Sequence, residues 1–377
     1  MVSFMTATAL HIAIDASRIT RARATGTEHY ALQLLRHLIL LNDARATPHR
    51  LTLYFRDAPA ANLLPESAHV LHRVIPLARL WTHLRFADAL RRDPPDVTFV
   101  PAHTLPFVFP GRAVVTVHDL GYRYFPQAHP AGQRLYLDVT TRMAARRATR
   151  ILADSQATAD DLQRLYQVPA GKIRVVYPGV AAPDAEYMLY GNIQRVQQKY
   201  RLPDKYVLFL GTLQPRKNIL RLVQAFERWQ QAHEDGTALV LAGSPGWLYD
   251  PDWVRGVANI HLTGYVDDAD KPALYAGALA LLFPSLYEGF GFPVLEAMHC
   301  GTPVIASSTS SLPELVGDAG LLVNPQSVND IAAALDLIGW HGALRRELRQ
   351  KGFRQAEKFT WEATARQALA VLEEAAG

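Results

Sequence analysis

Cysteine occurs once in 377 residues, at Cys300. A single thiol excludes an intramolecular disulfide framework and fits a reducing compartment. Beside Gly301, at an expected helix end, it reads as buried packing. The chain also lacks a biased repeat, and no stretch approaches the roughly 20 apolar residues of a membrane span. Residues Met1 to Leu10 lack the basic start and long apolar run of a signal peptide. These absences lead us to expect a cytoplasmic globular protein. No basic patch interleaves with aromatics, which argues against nucleic-acid binding. The histidines lack metal-ligand spacing, and Asp267-Asp268-x-Asp270 reads as a cap for the following helix, so no metal is expected. No Gly-x-Gly-x-x-Gly follows the first strand, which argues against a dinucleotide oxidoreductase.

What is present is apolar: 49% of the residues are hydrophobic. The length suits two domains. Apolar runs of strand type alternate with amphipathic helical patterns throughout, the mark of parallel-sheet α/β domains. The first half offers strands at His11–Asp15, Leu51–Phe55, Asp96–Val100, Ala113–Val117, Arg150–Ala153 and Ile173–Val176. Tyr177-Pro178-Gly179-Val180 punctuates its end. The second half opens with a strand at Tyr206 and adds others near Ala238–Ala242, Asn259–Leu262, Ala280–Phe283, Val304–Ala306 and Gly320–Val323. A last helix is expected from a Thr360 cap over about Trp361–Glu374. The expected domains are 1–185 and 186–360, with 361–377 as a helix that could return to the first.

Charge is unevenly placed. Residues 1–185 hold 22 Lys/Arg and 14 Asp/Glu, and the remainder 17 and 21. Arg142, Arg146, Arg147 and Arg150 fall in one expected helical stretch. They read either as a solvated face or as a surface that attracts anionic lipid or a pyrophosphate-linked acceptor.

The most informative segment is Tyr287-Glu288-Gly289-Phe290-Gly291-Phe292-Pro293-Val294-Leu295-Glu296. Two glycines allow close backbone approach to a ligand, and Pro293 suits the first turn of a helix. The N–H groups at such a helix start suit phosphate. Glu288 lies before the turn and Glu296 within the helix, so they would reach different parts of one extended anionic ligand. The plain alternative is a Glu favoured by the helix dipole. A second segment supplies positive charge: the strand Tyr206–Leu210, the turn Gly211–Pro215, then Arg216 and Lys217 before a helical run, where α/β folds place ligands.

The two segments together resemble the retaining glycosyltransferases of family 4, whose GT-B architecture has two facing Rossmann-like domains and a cleft between them. Gly211–Asn218, Thr263–Asp267, and Pro284–Ala306 with its Glu-x7-Glu spacing carry the likeness. Ser311–Glu314 and Gly320–Pro325 continue it, and Thr116–Asp119 extends it more weakly to the first half. The resemblance implies a transferase that moves a hexose from a nucleotide-diphosphate sugar to a saccharide or lipid-linked acceptor with retention. GDP-mannose is the first donor expected and UDP-glucose the second, each as substrate rather than cofactor. A non-catalytic nucleotide-sugar-binding protein is the alternative.

By the same resemblance, Arg216 and Lys217 would stabilise the departing diphosphate, Glu288 would hold hydroxyls of the transferred sugar, and Glu296 the ribose diol. Phe290, Gly291 and Phe292 would offer backbone N–H groups, with Thr212, Gly289 and Leu295 also lining the donor. Tyr265 or the neighbouring backbone, with Val266, would lie against the base. His118, after the strand Ala113–Val117, would meet the reaction centre, either hydrogen-bonding the sugar or assisting proton movement. His103 and Asp119 are acceptor-side candidates. Family members often have Gly-x-Gly in the first strand-to-helix loop; here Gly26-Thr27-Glu28 departs from it, so Gly26 is matched to the donor and Glu28 to the acceptor. Trp81 and Tyr122 read as core packing or as sugar-stacking rings.

Overall fold

The structure is a computed structural model that describes residues 8–20, 26–233 and 235–377; residues 1–7 of the N-terminal stretch lie outside them. Its contacts divide the chain into two units. Unit 1 runs to Leu120, then takes Ala131–Gly179 and Thr360–Gly377; unit 2 comprises Gly121–Pro130 and Val180–Phe359. The main boundary therefore falls at Gly179/Val180 rather than at 185/186. Packing sets it there. A side chain at Gly179 would collide with the backbone of Thr360 and Trp361, while the Val180 N–H donates to the Phe359 carbonyl at 2.9 Å.

Among the described residues, unit 1 carries a seven-stranded sheet: β1 His11–Asp15, β2 Arg50–Phe55, β3 Val70–Val74, β4 Val97–Val100, β5 Arg112–Val117, β6 Arg150–Ala153 and β7 Ile173–Val175. The order is β3-β2-β1-β4-β5-β6-β7 and every pairing is parallel. Central runs such as Ile12-Ala13-Ile14 are wholly buried, as expected for a parallel sheet covered on both faces. β3 escaped the sequence reading because Val-Leu-His-Arg-Val at a sheet edge is largely exposed and shows no apolar run. Arg150 opens β6 and does not continue the helix Ala131–Arg147 that carries Arg142, Arg146 and Arg147.

Helix Trp361–Ala376 packs on helix Gly26–Asp43 and against β4 and β5 within unit 1. The Thr360 hydroxyl caps it by accepting from the Ala363 N–H at 3.2 Å, and Trp361, Ala365, Ala368, Leu369 and Leu372 form its buried stripe. At its far end Glu373 meets Arg45 at 2.6 Å, and Glu374 meets Arg150 at 2.9 Å and Arg174 at 2.7 Å.

Unit 2 holds β8 Tyr206–Leu210, β9 Ala238–Ala242, β10 Ile260–Gly264, β11 Leu281–Phe283, β12 Val304–Ser307 and β13 Leu321–Val323, ordered β10-β9-β8-β11-β12-β13 and again parallel. Each sheet thus starts at its centre, winds outward to one edge, returns, and winds to the other. That is the doubly wound Rossmann order, and ligands bind beyond the carboxyl ends of the strands where it reverses. The reversal lies between β1 and β4 in unit 1 and between β8 and β11 in unit 2. Helix Ile219–Ala232 buries Ile219, Leu222, Val223, Phe226 and Trp229 at helical spacing, and so fixes where the loop after β8 must end.

Candidate functional site

In unit 2 the loops after β8 and β11 meet at the reversal point. After β8, Pro215–Lys217 forms one 3-10 turn, and Asn218 follows at φ 62° before the helix begins. Asn tolerates this left-handed conformation better than most residues. Its buried side-chain amide donates to the Pro284 carbonyl at 3.0 Å and the Pro325 carbonyl at 2.6 Å, tying the turn to the segments after β11 and β13. The Arg216 carbonyl accepts from the Leu286 N–H at 2.9 Å. Both cations are therefore held on a fixed backbone.

Their side chains converge on Glu288. Lys217 Nζ lies 2.5 Å from Glu288 Oε1 and Arg216 Nη1 lies 3.0 Å from Oε2. Arg216 also donates to the Tyr287 carbonyl at 2.6 Å, and Lys217 sits over the Phe283 ring at 4.8 Å. Glu288 is buried, at 6% exposure. Burial alone would raise its pKa, but the Lys217 and Arg216 charges outweigh burial and hold it at about 2. The carboxylate is thus ionised at neutral pH. The sequence placed Glu288 toward a sugar and the cations toward a phosphate; the structure brings all three into one cluster.

The glycine turn that follows is shaped by sterics. Gly291 lies at φ 130°, and a Cβ there would approach Leu312 Cδ2 to 2.8 Å. The Ser311 hydroxyl donates to the Glu288 carbonyl at 3.0 Å and also to that of Phe290, while the Glu288 N–H donates to Ser310 Oγ at 3.0 Å. Gly289 and Phe290 are buried in this turn and Phe292 is half-buried, opening helix Phe292–His299. Tyr124, from the segment Gly121–Pro130, stacks on Tyr287 at 4.7 Å.

Glu296 projects half-exposed from the same helix, and the Tyr275 hydroxyl donates to its Oε2 at 2.7 Å. Burial, then the Glu296 charge, pushes the Tyr275 phenol well above its ordinary value, so it stays a donor. Lys271 is raised: burial would lower it, but Glu296 and Asp268 outweigh that. Leu295 is buried core. Thr212 is exposed after β8, and Tyr265 stands out from the end of β10 at 66% exposure while Val266 turns inward. Asp267 and Asp270 correct the capping expectation. Neither caps a helix by its side chain; both accept from Lys199, at 2.7 and 2.5 Å, and Asp270 accepts also from Arg195 and Tyr200, both at 2.9 Å. Within unit 2 they pin helix Tyr190–Tyr200 to the segment after β10.

In unit 1 the loops after β4, β5 and β6 meet at His118. Its Nδ1 lies 2.7 Å from Asp154 Oδ2, just past β6, and its Nε2 lies 3.3 Å from the Pro101 carbonyl, just past β4. Tyr30 meets the imidazole edge to face at 4.8 Å. Burial works against the charged ring, yet the Asp154 carboxylate beside it raises the His118 pKa. His103 is lowered to about 4, by burial first and then by the charge of His118. Asp119 follows His118 and is half-buried.

Gly26 and Glu28 open helix Gly26–Asp43. Glu28 is buried and ion-paired to Arg18 at 3.5 Å. Gly26 thus belongs to unit 1, while the other donor-side residues belong to unit 2. Trp81 is core: its indole donates to the Ile75 carbonyl at 2.7 Å and stacks on Phe86. Tyr122 is buried too. The sequence reading missed Asn218, Tyr275 and Asp154. Asp154 alone left a local signal, an acidic residue directly after a buried strand. Among the described residues no group of three His, Cys, Asp or Glu is placed to hold a metal ion, and no helix is long and apolar enough to cross a membrane.

A family model described as Glycosyltransferase Family 4 matches residues 24–182, and one described as Glycosyl transferases group 1 matches residues 192–355. The chain is 35% identical over 328 residues to "O-antigen chain mannosyltransferase B" of Escherichia coli, covering 85% of this chain and 82% of that one. It is 30% identical over 288 residues to the "Serotype-specific mannosyltransferase WbdA" of the same organism, a longer protein of which it spans about a third (34%). Among solved structures, sucrose-phosphate synthase from Thermosynechococcus elongatus superposes with a TM-score of 0.72 at 23% identity, over 97% of this chain and 98% of that one. Anabaena HepE in complex with UDP-glucose does so at 0.73 and 19%, over 97% and 100%. These structures share the fold. With two parallel-sheet Rossmann-like units and these relatives, the chain belongs to glycosyltransferase family 4, the group 1 glycosyl transferases, and is an enzyme of the GT-B fold.

Proposed function

We propose that this enzyme transfers mannose from GDP-mannose to a saccharide or lipid-linked acceptor, with retention of configuration and without a metal ion. The observation that carries the sugar is the likeness to an O-antigen chain mannosyltransferase over most of both chains. UDP-glucose is the second donor, supported by the Anabaena neighbour that was solved with it. In this reading Arg216 and Lys217 take the diphosphate as the glycosidic bond breaks. The convergence of both cations at the strand ends, where ligands bind in this fold, supports the assignment. Glu288, ionised and held by two cations, accepts hydroxyls of the sugar. Glu296, oriented by Tyr275, accepts the ribose diol, since a carboxylate can receive two hydrogen bonds side by side. The backbone of Phe290, Gly291 and Phe292 faces the distal phosphate, Thr212, Gly289 and Leu295 line the donor, and Tyr265 with Val266 borders the base. Glu28, His103 and Asp119 remain acceptor-side assignments, and Gly26 a donor-side one.

Peripheral contact with an anionic membrane belongs to the same proposal, since a lipid-linked acceptor is presented at a bilayer. One face of unit 1 supports it. Leu135 and Val139 on helix Ala131–Arg147, with Leu84, Phe107 and Val108, are each at least 43% exposed. His83 joins these segments by stacking on Phe107 at 3.8 Å and reaching the Tyr136 hydroxyl at 3.0 Å. Arg142 and Arg146 continue the Leu135–Val139 stripe at helical spacing. The arginines are not a uniform charge patch, because Arg142 pairs with Asp138 at 2.9 Å and Arg147 donates to the Phe107 carbonyl at 2.7 Å.

The deciding experiment is transfer from a panel of nucleotide sugars to lipid-linked saccharides, with anomer assignment of the product. Turnover with GDP-mannose and an α-linked product supports the proposal. Turnover with UDP-glucose alone replaces the donor, and inversion overturns the stereochemistry.

A further inference from the structure

We infer that His118 is held as an imidazolium, with Asp154 as the positioning residue that keeps it charged, so that it acts as a cationic hydrogen-bond donor and not as a general base. The argument begins with proton counting. Both ring nitrogens face oxygen: Nδ1 meets Asp154 Oδ2 at 2.7 Å and Nε2 meets the Pro101 carbonyl at 3.3 Å. A carbonyl can only accept, so Nε2 carries a proton. The short Nδ1–Oδ2 contact needs a second proton between the two atoms. A neutral imidazole has one N–H, whereas an imidazolium has two.

That second proton could reside on either partner. Imidazole is the stronger base of the two, with an ordinary pKa of 6.5 against 3.8 for the carboxyl. Burial raises Asp154 above its ordinary value, and the Asp154 carboxylate in turn, against the burial of the ring, raises His118. Asp154 is 3% exposed, and its Oδ1 has no hydrogen-bond partner. A buried carboxylate with one partner is tolerable when that partner is a cation. The pair is then an imidazolium–carboxylate. Tyr30 offers a phenol ring at 4.8 Å, and the Thr158 hydroxyl donates to the His118 carbonyl at 3.2 Å. Asp119 adds negative charge, which favours the imidazolium, while His103 is kept neutral by burial first and then by the charges of His118 and Arg18. The Nε2 proton, resting on a carbonyl by a long bond, is the one available to a substrate oxygen.

This deepens the proposed function by giving His118 a role, but the protonation state is measurable without any donor. Long-range proton–nitrogen spectra of the 15N-labelled protein, assigned with His118→Gln, are expected to show both His118 ring nitrogens protonated at pH 7, which requires a titration midpoint above pH 7 rather than at the ordinary 6.5. In Asp154→Asn the midpoint should fall by about one pH unit or more, the usual effect of losing an opposite charge in contact. The alkaline limb of the kcat profile should move down with it, and Asp154→Glu should restore part of both. A His118 with an unprotonated Nδ1 at pH 7 overturns the inference, and so does an unchanged midpoint in folded Asp154→Asn. If that variant does not fold, the wild-type spectrum alone decides. Failure to find a donor leaves the spectrum standing, so the two proposals fail separately.

Discussion

Replacing Lys217 with alanine should separate two consequences of one cation. Glu288 falls from an ordinary pKa of 4.5 to about 2 in a buried site. At about 1.4 kcal/mol per pH unit that is about 3 kcal/mol of stabilisation at neutral pH, shared by two cations. Lys217 is the closer, at 2.5 Å against 3.0 Å for Arg216. Its loss should therefore cost about 2 kcal/mol, less than the ~3–5 kcal/mol of an abandoned buried charge because Arg216 remains. The pH dependence has a definite sign. The carboxylate's contribution is fully present above 4.5 and is lost as pH falls toward 2, so the stability gap between wild type and Lys217→Ala should be widest at neutral pH and narrow in acid. Transfer at saturating donor should drop by ~10²-fold or more, the usual cost of removing one charge-stabilising donor. Urea unfolding at several pH values gives the first quantity and initial transfer rates the second. A folded Lys217→Ala protein with near-normal rates refutes the catalytic assignment, and a stability gap unchanged between pH 7 and pH 3 refutes the electrostatic one.

Four further outcomes are expected. Glu296→Gln should mainly weaken nucleoside-diphosphate binding in calorimetry, whereas Glu288→Gln should lower the saturated rate more than that affinity, because misplacement near the reacting bond penalises attack geometry; similar losses of diphosphate affinity in both would erase the division of roles. EDTA should leave transfer intact, and abolition by chelation with rescue by a divalent ion would establish a metal-dependent reaction. Gly291→Ala should destabilise unit 2 by about 1–3 kcal/mol, since it needs φ 130° and meets Leu312, and an unchanged urea midpoint would contradict that strain. Leu135→Glu with Val139→Glu should abolish sedimentation with phosphatidylglycerol vesicles while sparing transfer to a water-soluble acceptor, and unaltered sedimentation would remove this face from membrane contact.

Much of this architecture was legible locally. Buried parallel strands need unbroken apolar runs, so Tyr206–Leu210 and Ala238–Ala242 announce themselves, and Thr360 marks a helix start through its own cap. The turn at Glu288–Phe292 was legible because Gly291 satisfies a backbone demand few other residues meet. An exposed edge such as Val70–Val74 left no comparable signal, because its side chains answer mainly to solvent. The chain order alone did not reveal what converges. Arg216 and Lys217 are more than seventy positions from Glu288, and only the crossing from β10 to β11 puts their loops side by side. The same winding sets Asp154 against His118 across the ends of neighbouring strands. Sequence determined which residues could carry charge at a strand end. Tertiary structure decided which charges face one another, and with that the ionisation of Glu288, because a pKa follows from neighbours in space and from exclusion of water.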